Sequence, residues 1–156
     1  SGVLYGCLAA IPVLLFIEGV RRLPWEPVRE LERLTDDSLI KTLLKLRPGE
    51  LVVISVCAGI GEELLFRGWM LPWLAGSPAG DPTQFEFALA LVGSSVAFGL
   101  MHPITKLYVV LAALMGIYFG ILMLWSGNLL VPIAAHAAYD AVQLILTARQ
   151  TDAESQ

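Results

Sequence analysis

The sequence contains the stretch Gly59-Ile60-Gly61-Glu62-Glu63-Leu64-Leu65-Phe66-Arg67-Gly68, which places three charged side chains inside the apolar run Leu51–Leu74. A run of this length suffices to cross a bilayer, which takes about 20 helical residues. Each charge at the centre of such a helix costs roughly 2.5–3.5 kcal/mol on insertion scales. Glu63 and Arg67 are four positions apart, so they share a helix face and can neutralise each other as a structural pair. Glu62 points about 100° away from Glu63 and lacks such a partner, so Glu62 requires a different explanation.

The composition is that of a membrane protein. Of the 156 residues, 56% are hydrophobic and 15% charged, and the mean hydropathy is +0.71. These values exclude an ordinary soluble globular domain and predict one all-α, polytopic transmembrane bundle. Cys7 and Cys57 fall in apolar runs, so we expect them to be buried core residues without a disulfide.

The apolar runs predict about five membrane helices and one amphipathic surface helix. The five are Gly2–Val20, Leu51–Leu74, Phe85–Met101, Ile104–Trp125 and Leu129–Ala148. Between the first two, Leu39–Arg47 has an apolar and a basic side, so it is expected to lie on the membrane surface or to pack on the bundle. Its predicted N-cap is Asp36, Asp37 or Ser38, and Pro48-Gly49 ends it.

We divide the chain into three parts. Residues 1–48 hold the first membrane helix and a basic amphipathic loop, residues 49–150 hold a core of four membrane helices, and residues 151–156 form a polar tail.

Positive charge is distributed unevenly among the predicted connections. The basic loop between the first two predicted membrane helices carries seven positive side chains: Arg21, Arg22, Arg29, Arg33, Lys41, Lys45 and Arg47. Lys106 follows the third helix and Arg149 follows the fifth, whereas the two remaining connections have neither Lys nor Arg. Because positive residues mark the cytoplasmic side, the basic loop and the C-terminus are expected in the cytoplasm.

Polar side chains occur at membrane depth or its edge on three predicted helices. They are Glu62 on the second, His102 on the third, and His136 with Asp140, four residues apart, on the fifth. Ionisable groups inside spans usually face the bundle interior and mark a functional path. A carboxylate and two imidazoles can activate water, and Glu62, His102 and His136 also match a metal site of two histidines and one carboxylate. Alternatively, His102 lies among the lipid headgroups, and His136 and Asp140 form an interhelical hydrogen-bonded pair.

These motifs, taken in order, resemble those of a known family. Glu62-Glu63-x-x-x-Arg67, Phe98-x-x-x-His102 and His136-x-x-x-Asp140 are similar to the motifs of the CPBP intramembrane proteases, which include the type II CAAX prenyl endopeptidases and the bacterial Abi proteins. The resemblance covers roughly Leu51–Ala148.

The resemblance implies a membrane-embedded endopeptidase. Glu62 and His102 would activate the attacking water, and His136 and Asp140 would act at the oxyanion. Because an ionised Asp cannot donate a hydrogen bond, we expect Asp140 to orient His136. Glu63, Arg67 and Phe98 would give structural support. The family is often described as metalloproteases, so the cofactor is left open between a divalent metal such as zinc and none.

The expected partners are the lipid bilayer and a peptide or membrane-protein substrate, with or without a prenyl group; no nucleic acid is expected. One alternative is a catalytically inactive scaffold or bacteriocin-immunity protein of the same fold, which would use Arg29, Arg33, Lys41 and Lys45. A second alternative is a small ion- or proton-conducting bundle with Glu62 as a relay, although no internal repeat supports a transporter.

Overall fold

A computed structural model describes residues 2–33, 38–76 and 81–154, and these are almost entirely helical. The elements, in order, are α1 Gly2–Arg21, α2 Glu26–Arg33, α3 Ser38–Leu44, α4 Pro48–Glu63, a π-helical segment Leu64–Met70, α5 Leu71–Ala75, α6 Gln84–Leu100, α7 Lys106–Ser126 and α8 Leu130–Glu154.

The helices form a bundle around α8. Helices α1 and α4 lie along α8, and α6 packs along α7. Within the described residues, three helices are long and apolar enough to cross a membrane, namely α1, α7 and the Leu130–Thr151 part of α8. Helix α6 is also apolar but shorter. The prediction of an all-α membrane bundle is confirmed.

The second predicted membrane helix is one continuous helical path with an irregular middle. It runs from Pro48 to Ala75, and α4 passes directly into the π-helical segment and then into α5. The amide of Leu71 donates to the carbonyl of Phe66, five residues earlier. Pro72 follows immediately; its ring supplies no amide donor and crowds the carbonyl four residues earlier, which accounts for the widened turns.

Small residues bring α1 and α8 into close contact. A methyl group at Gly6 would meet the Val131 carbonyl oxygen and would lie 2.6 Å from the Ala134 Cβ. Only a residue without a side chain fits between the helices here. On the neighbouring face of α1, the Ala9 carbonyl accepts a 2.8 Å hydrogen bond from the Tyr118 hydroxyl of α7.

Several predicted boundaries differ from the structure. The last helix does not end at Ala148; it continues to Glu154, because Ala148 packs with Leu44 of α3 and Leu51 of α4. Helix α3 therefore packs on the bundle, and its contact with the membrane surface stays a prediction. Of its proposed caps, Ser38 is the first helical residue, and Asp36 and Asp37 lie outside the described residues.

Two further features were not foreseen. The segment after α1 contains a separate helix, α2. The prediction of two buried cysteines was wrong, because Cys7 and Cys57 are both free and exposed. An apolar run indicates membrane depth, whereas the side of the helix that faces the bundle depends on its neighbours.

Candidate active site

Glu62 and Glu63 end α4 and face different surroundings, as their positions on the helix predict. The Glu63 side chain is 0% exposed and the Glu62 side chain 33% exposed. One turn earlier, Gly59 allows α4 to approach α8: a methyl group there would lie 3.1 Å from the Ile133 carbonyl oxygen. This close approach places both carboxylates beside α8.

Glu63 anchors a buried polar network. Its Oε1 accepts a 2.8 Å hydrogen bond from Nη1 of Arg67, whose Nη2 donates to the Gly116 carbonyl at 2.8 Å. The Arg67 guanidinium also lies 4.6 Å from the Phe98 ring centroid. The same Glu63 oxygen lies 2.9 Å from Nδ1 of His136. Because a carboxylate only accepts, His136 donates through Nδ1, and this bond fixes its ring.

The His136 ring is fixed on its faces as well. It stacks on Phe119, with 5.0 Å between centroids and 16° between planes, and Phe98 meets it edge-on at 5.8 Å. Its Nε2 lies 3.3 Å from Oδ2 of Asp140, one turn further along α8. The same Nε2 lies 3.9 Å from Oε2 of Glu62. His136 therefore turns Nε2 toward the partly exposed carboxylates of Glu62 and Asp140.

His102 lies at the end of α6. The His102 amide donates to the Gly99 carbonyl, and Pro103 prevents the helix from continuing. The Phe98 carbonyl is therefore available to the His102 ring. Nδ1 of His102 lies 2.8 Å from that carbonyl. Because a carbonyl only accepts, Nδ1 carries a hydrogen, and in the neutral ring Nε2 is an acceptor. Nε2 lies 3.6 Å from Oε2 of Glu62.

Two imidazole nitrogens thus converge on one carboxylate oxygen. Glu62 Oε2 is buried and has no hydrogen-bond partner among the described residues. Separations of 3.6 and 3.9 Å are too long for direct hydrogen bonds, but a water molecule can bridge groups at such distances. Glu62, His102, His136 and Asp140, predicted from sequence, all line one cavity of about 100 Å³.

A metal site is the second arrangement that the sequence predicts at these residues. Among the described residues, no three His, Cys, Asp or Glu side chains are arranged to hold a metal ion together. In both histidines Nδ1 is hydrogen-bonded, to Glu63 in His136 and to the Phe98 carbonyl in His102, and Nε2 stays available. Metal-ligating histidines show the same arrangement. The metal set Glu62, His102 and His136 therefore stays a prediction.

Some residues of the site were missed by sequence reasoning. Phe119 and Gly116 on α7 support His136 and Arg67, but neither belongs to a recognisable spacing pattern. The cavity is also lined by Tyr108, whose ring lies 6.0 Å from that of His102, and by Tyr139 beside Asp140. A search for polar side chains within the apolar runs would have found both tyrosines. Ile17 and Leu31, which also line the cavity, are apolar and carry no such signal.

Comparison with known proteins identifies a family to which this chain is similar. Neither the curated proteins nor the solved structures contain a match to this chain. The type II CAAX prenyl endopeptidase Rce1-like family matches residues 46–142, which are more than half of the chain and include both carboxylates of α4, His102, His136 and Asp140. The chain therefore belongs to the type II CAAX prenyl endopeptidase Rce1-like family.

Proposed function

We propose that this protein is a membrane-embedded endopeptidase in which Glu62 and His102 activate water. The observation that carries the proposal is the convergence of two imidazole Nε2 atoms on the buried, unpartnered Oε2 of Glu62. Membership of a peptidase family supports the reaction class. The assignment of individual roles rests on the hydrogen-bonding capacity of each group.

In the first step, Glu62 Oε2 and His102 Nε2 each accept a hydrogen bond from one water molecule. Both hydrogens of the water are then held, so a lone pair on its oxygen is free to attack the carbonyl carbon of the peptide. One proton passes to this Glu62–His102 pair as the C–O bond forms. A positioned general base of this kind contributes about 10²–10⁴ in rate.

In the second step, His136 stabilises the oxyanion. Nδ1 of His136 donates to Glu63, so a ring that carries both protons also presents an Nε2–H donor. The Asp140 carboxylate, whose Oδ2 lies 3.3 Å from Nε2 of His136, orients this N–H group. Removal of one oxyanion donor costs about 10²–10³ in rate. The proton taken from water is then delivered to the leaving amine, and the C–N bond breaks.

The substrate is a peptide or a membrane-protein segment, with or without a prenyl group. The cavity lies near the C-terminal ends of α1 and α6 and the N-terminal end of α7, where Arg21 and Lys106 are found. With the basic loop in the cytoplasm, the cavity faces the cytoplasmic half of the membrane.

The test is cleavage of fluorogenic peptides, plain and prenylated, by purified protein in detergent. Glu62→Gln removes the base and is expected to lower kcat/KM about 10²–10⁴-fold. The matched control is Glu50→Gln on the same helix. Glu50 is exposed and its carboxylate accepts from the Arg47 amide, a capping role that glutamine also fills. This control should cleave as wild type does.

Three outcomes would contradict the proposal. Equal cleavage by wild type and Glu62→Gln would mean that Glu62 is not the base. Loss of cleavage in a strong zinc chelator, restored by zinc, would mean that the mechanism needs a metal. If function in cells instead depends on Arg29, Arg33, Lys41 and Lys45 and survives Glu62→Gln, the scaffold or immunity-protein alternative is favoured.

A further inference from the structure

The oxyanion of the proposed reaction has one hydrogen-bond donor on α8. Nε2 of His136 can donate to it, whereas the ionised Asp140 beside that nitrogen only accepts. Glu62 and His102 are occupied by the water molecule. Oxyanion sites combine preorganised donors, and the tyrosine hydroxyl is one of the side-chain groups that serve in them. A second donor is therefore expected among the other residues that line the cavity.

Tyr108 lies beside the reacting groups because α6 and α7 cross closely. A methyl group at Gly99 of α6 would lie 2.5 Å from the Val109 carbonyl oxygen of α7, so a residue with a side chain does not fit there. Tyr108 directly precedes Val109, and its ring centroid lies 6.0 Å from that of His102. The crossing therefore brings the Tyr108 ring next to the imidazole that shares the water with Glu62.

The start of α7 fixes the backbone of Tyr108. Thr105 is the N-cap of this helix, and its Oγ1 accepts a 3.1 Å hydrogen bond from the Tyr108 amide. Thr105 is 8% exposed, so the cap is shielded from solvent. Tyr108 thus belongs to the first turn of a capped helix, which suits a group that must be in place before the charge develops.

The Tyr108 hydroxyl is available to a substrate. Tyr108 lines the same cavity as Glu62, His102, His136 and Asp140. Its hydroxyl is close enough to the carboxylates of Asp140 and Glu62 to interact with them electrostatically. Within the part of the chain that the structure describes, this hydroxyl donates no hydrogen bond. A free O–H donor therefore lies in the cavity where the peptide carbonyl would be attacked.

We propose that Tyr108 is a further catalytic residue, whose hydroxyl donates a hydrogen bond to the oxyanion beside the Nε2–H group of His136. The inference rests on the proposed function, because it needs the tetrahedral intermediate that forms when water attacks the peptide. Tyr108 keeps its proton throughout. The hydrogen bond strengthens as the C–O bond forms and weakens again when the carbonyl re-forms and the C–N bond breaks. Because the donor is neutral, it stabilises the oxyanion without adding a buried charge.

Peptide cleavage by Tyr108→Phe tests this role, since the substitution removes the hydroxyl and keeps the ring next to His102. We expect kcat to fall about 10²–10³-fold, as for the loss of one oxyanion donor. KM should stay near that of wild type, because the hydrogen bond acts in the transition state. The matched control is Tyr5→Phe, which removes a hydroxyl from a side chain that is 59% exposed on α1. It should cleave as wild type does.

Two kinetic results would overturn the inference while the base assignment stands, in a protein whose cleavage is still lost in Glu62→Gln. One is a kcat of Tyr108→Phe equal to that of wild type. The other is a raised KM with an unchanged kcat, which would show that the hydroxyl binds the ground state of the substrate and not the oxyanion.

Binding of a transition-state analogue separates the inference from the proposed function. A peptide with a phosphinic group in place of the cleaved bond presents anionic oxygens where the oxyanion would form. Its affinity and that of the plain peptide are measured by fluorescence anisotropy on Glu62→Gln protein, with and without Tyr108→Phe. We expect Tyr108→Phe to weaken binding of the phosphinic peptide alone, by about tenfold or more, since one hydrogen bond to a charged group is lost.

Such selective weakening supports the role of Tyr108 even if wild type cleaves nothing. Equal weakening of both peptides, or of neither, overturns the inference and leaves Glu62 as the base wherever wild type cleaves and Glu62→Gln does not.

Discussion

At the scale of single residues, two adjacent carboxylates have separate roles. Glu63 is fully buried and accepts from Arg67 and His136, whereas Glu62 lines the cavity beside His102. The helical period alone predicted that one acid would pair with Arg67 and the other would not. It did not predict the contact between Glu63 and His136, because these residues are 73 positions apart and only the packing of α4 on α8 brings them together.

The Glu63–Arg67 pair is expected to be essential for stability. Arg67→Met leaves a carboxylate buried without its cation, which costs about 3–5 kcal/mol. The matched control is Arg22→Met, which breaks the ion pair between Arg22 and Glu18. These residues are also four positions apart, and Nη2 of Arg22 lies 3.0 Å from Oε1 of Glu18. That pair is solvent-exposed, and such pairs contribute about 0–1 kcal/mol.

Thermal unfolding in detergent, followed by tryptophan fluorescence, compares the two variants. We expect a clear fall in midpoint for Arg67→Met and little change for Arg22→Met. Equal midpoints would show that the buried pair adds no more stability than the exposed one.

At the scale of helices, the sequence predicts the positions of the apolar helices better than it predicts the end of α8 or the presence of α2. The apolar runs located α1, α6 and α7 to within two residues at each end. Helix α8 extends past its apolar run because its last turns contact other elements; Arg21 of α1, for example, donates to Gln150 at 3.3 Å. Such contacts are tertiary and leave no mark in the local pattern. Helix α2 was missed because it is short and mostly polar.

The packing of α1 on α8 gives a prediction with an internal control. Gly6→Ala places a methyl group against the Val131 carbonyl and the Ala134 side chain, so the helices must separate. Overpacking of this kind costs about 1–3 kcal/mol. Gly19 lies on the same helix with open space around it, and alanine there gains up to about 1 kcal/mol in helix propensity.

Unfolding midpoints are expected to fall for Gly6→Ala and to stay equal or rise for Gly19→Ala. A Gly6→Ala protein as stable as wild type would contradict the close approach of the two helices.

At the scale of the whole molecule, the positive charges gather at one end of the bundle. The contact between Arg21 and Gln150 joins the C-terminal ends of α1 and α8, and α3 packs beside Ala148 near that same end. The charge distribution of the sequence predicted this grouping. The sequence did not reveal that the residues before the matched region contribute Ile17 and Leu31 to the cavity.

The predicted topology can be measured with single cysteines. In a background with Cys7→Ser and Cys57→Ser, Asp81→Cys places a thiol before α6 and Lys106→Cys places one at the start of α7. Both positions are exposed, and the predicted topology puts them on opposite sides of the membrane. A membrane-impermeant maleimide should label Asp81→Cys in intact cells and Lys106→Cys only after permeabilisation. The reverse pattern would place the basic loop and the cavity outside the cytoplasm.

The central claim is that Glu62 and His102 act together on one water molecule. Its most direct test is a double-mutant cycle of kcat/KM with wild type, Glu62→Gln, His102→Ala and the double variant. Because groups that act as a unit are strongly non-additive, the double variant should lose about as much activity as the more damaging single substitution. Losses that multiply in the double variant would show that the two residues act independently and would contradict the shared water.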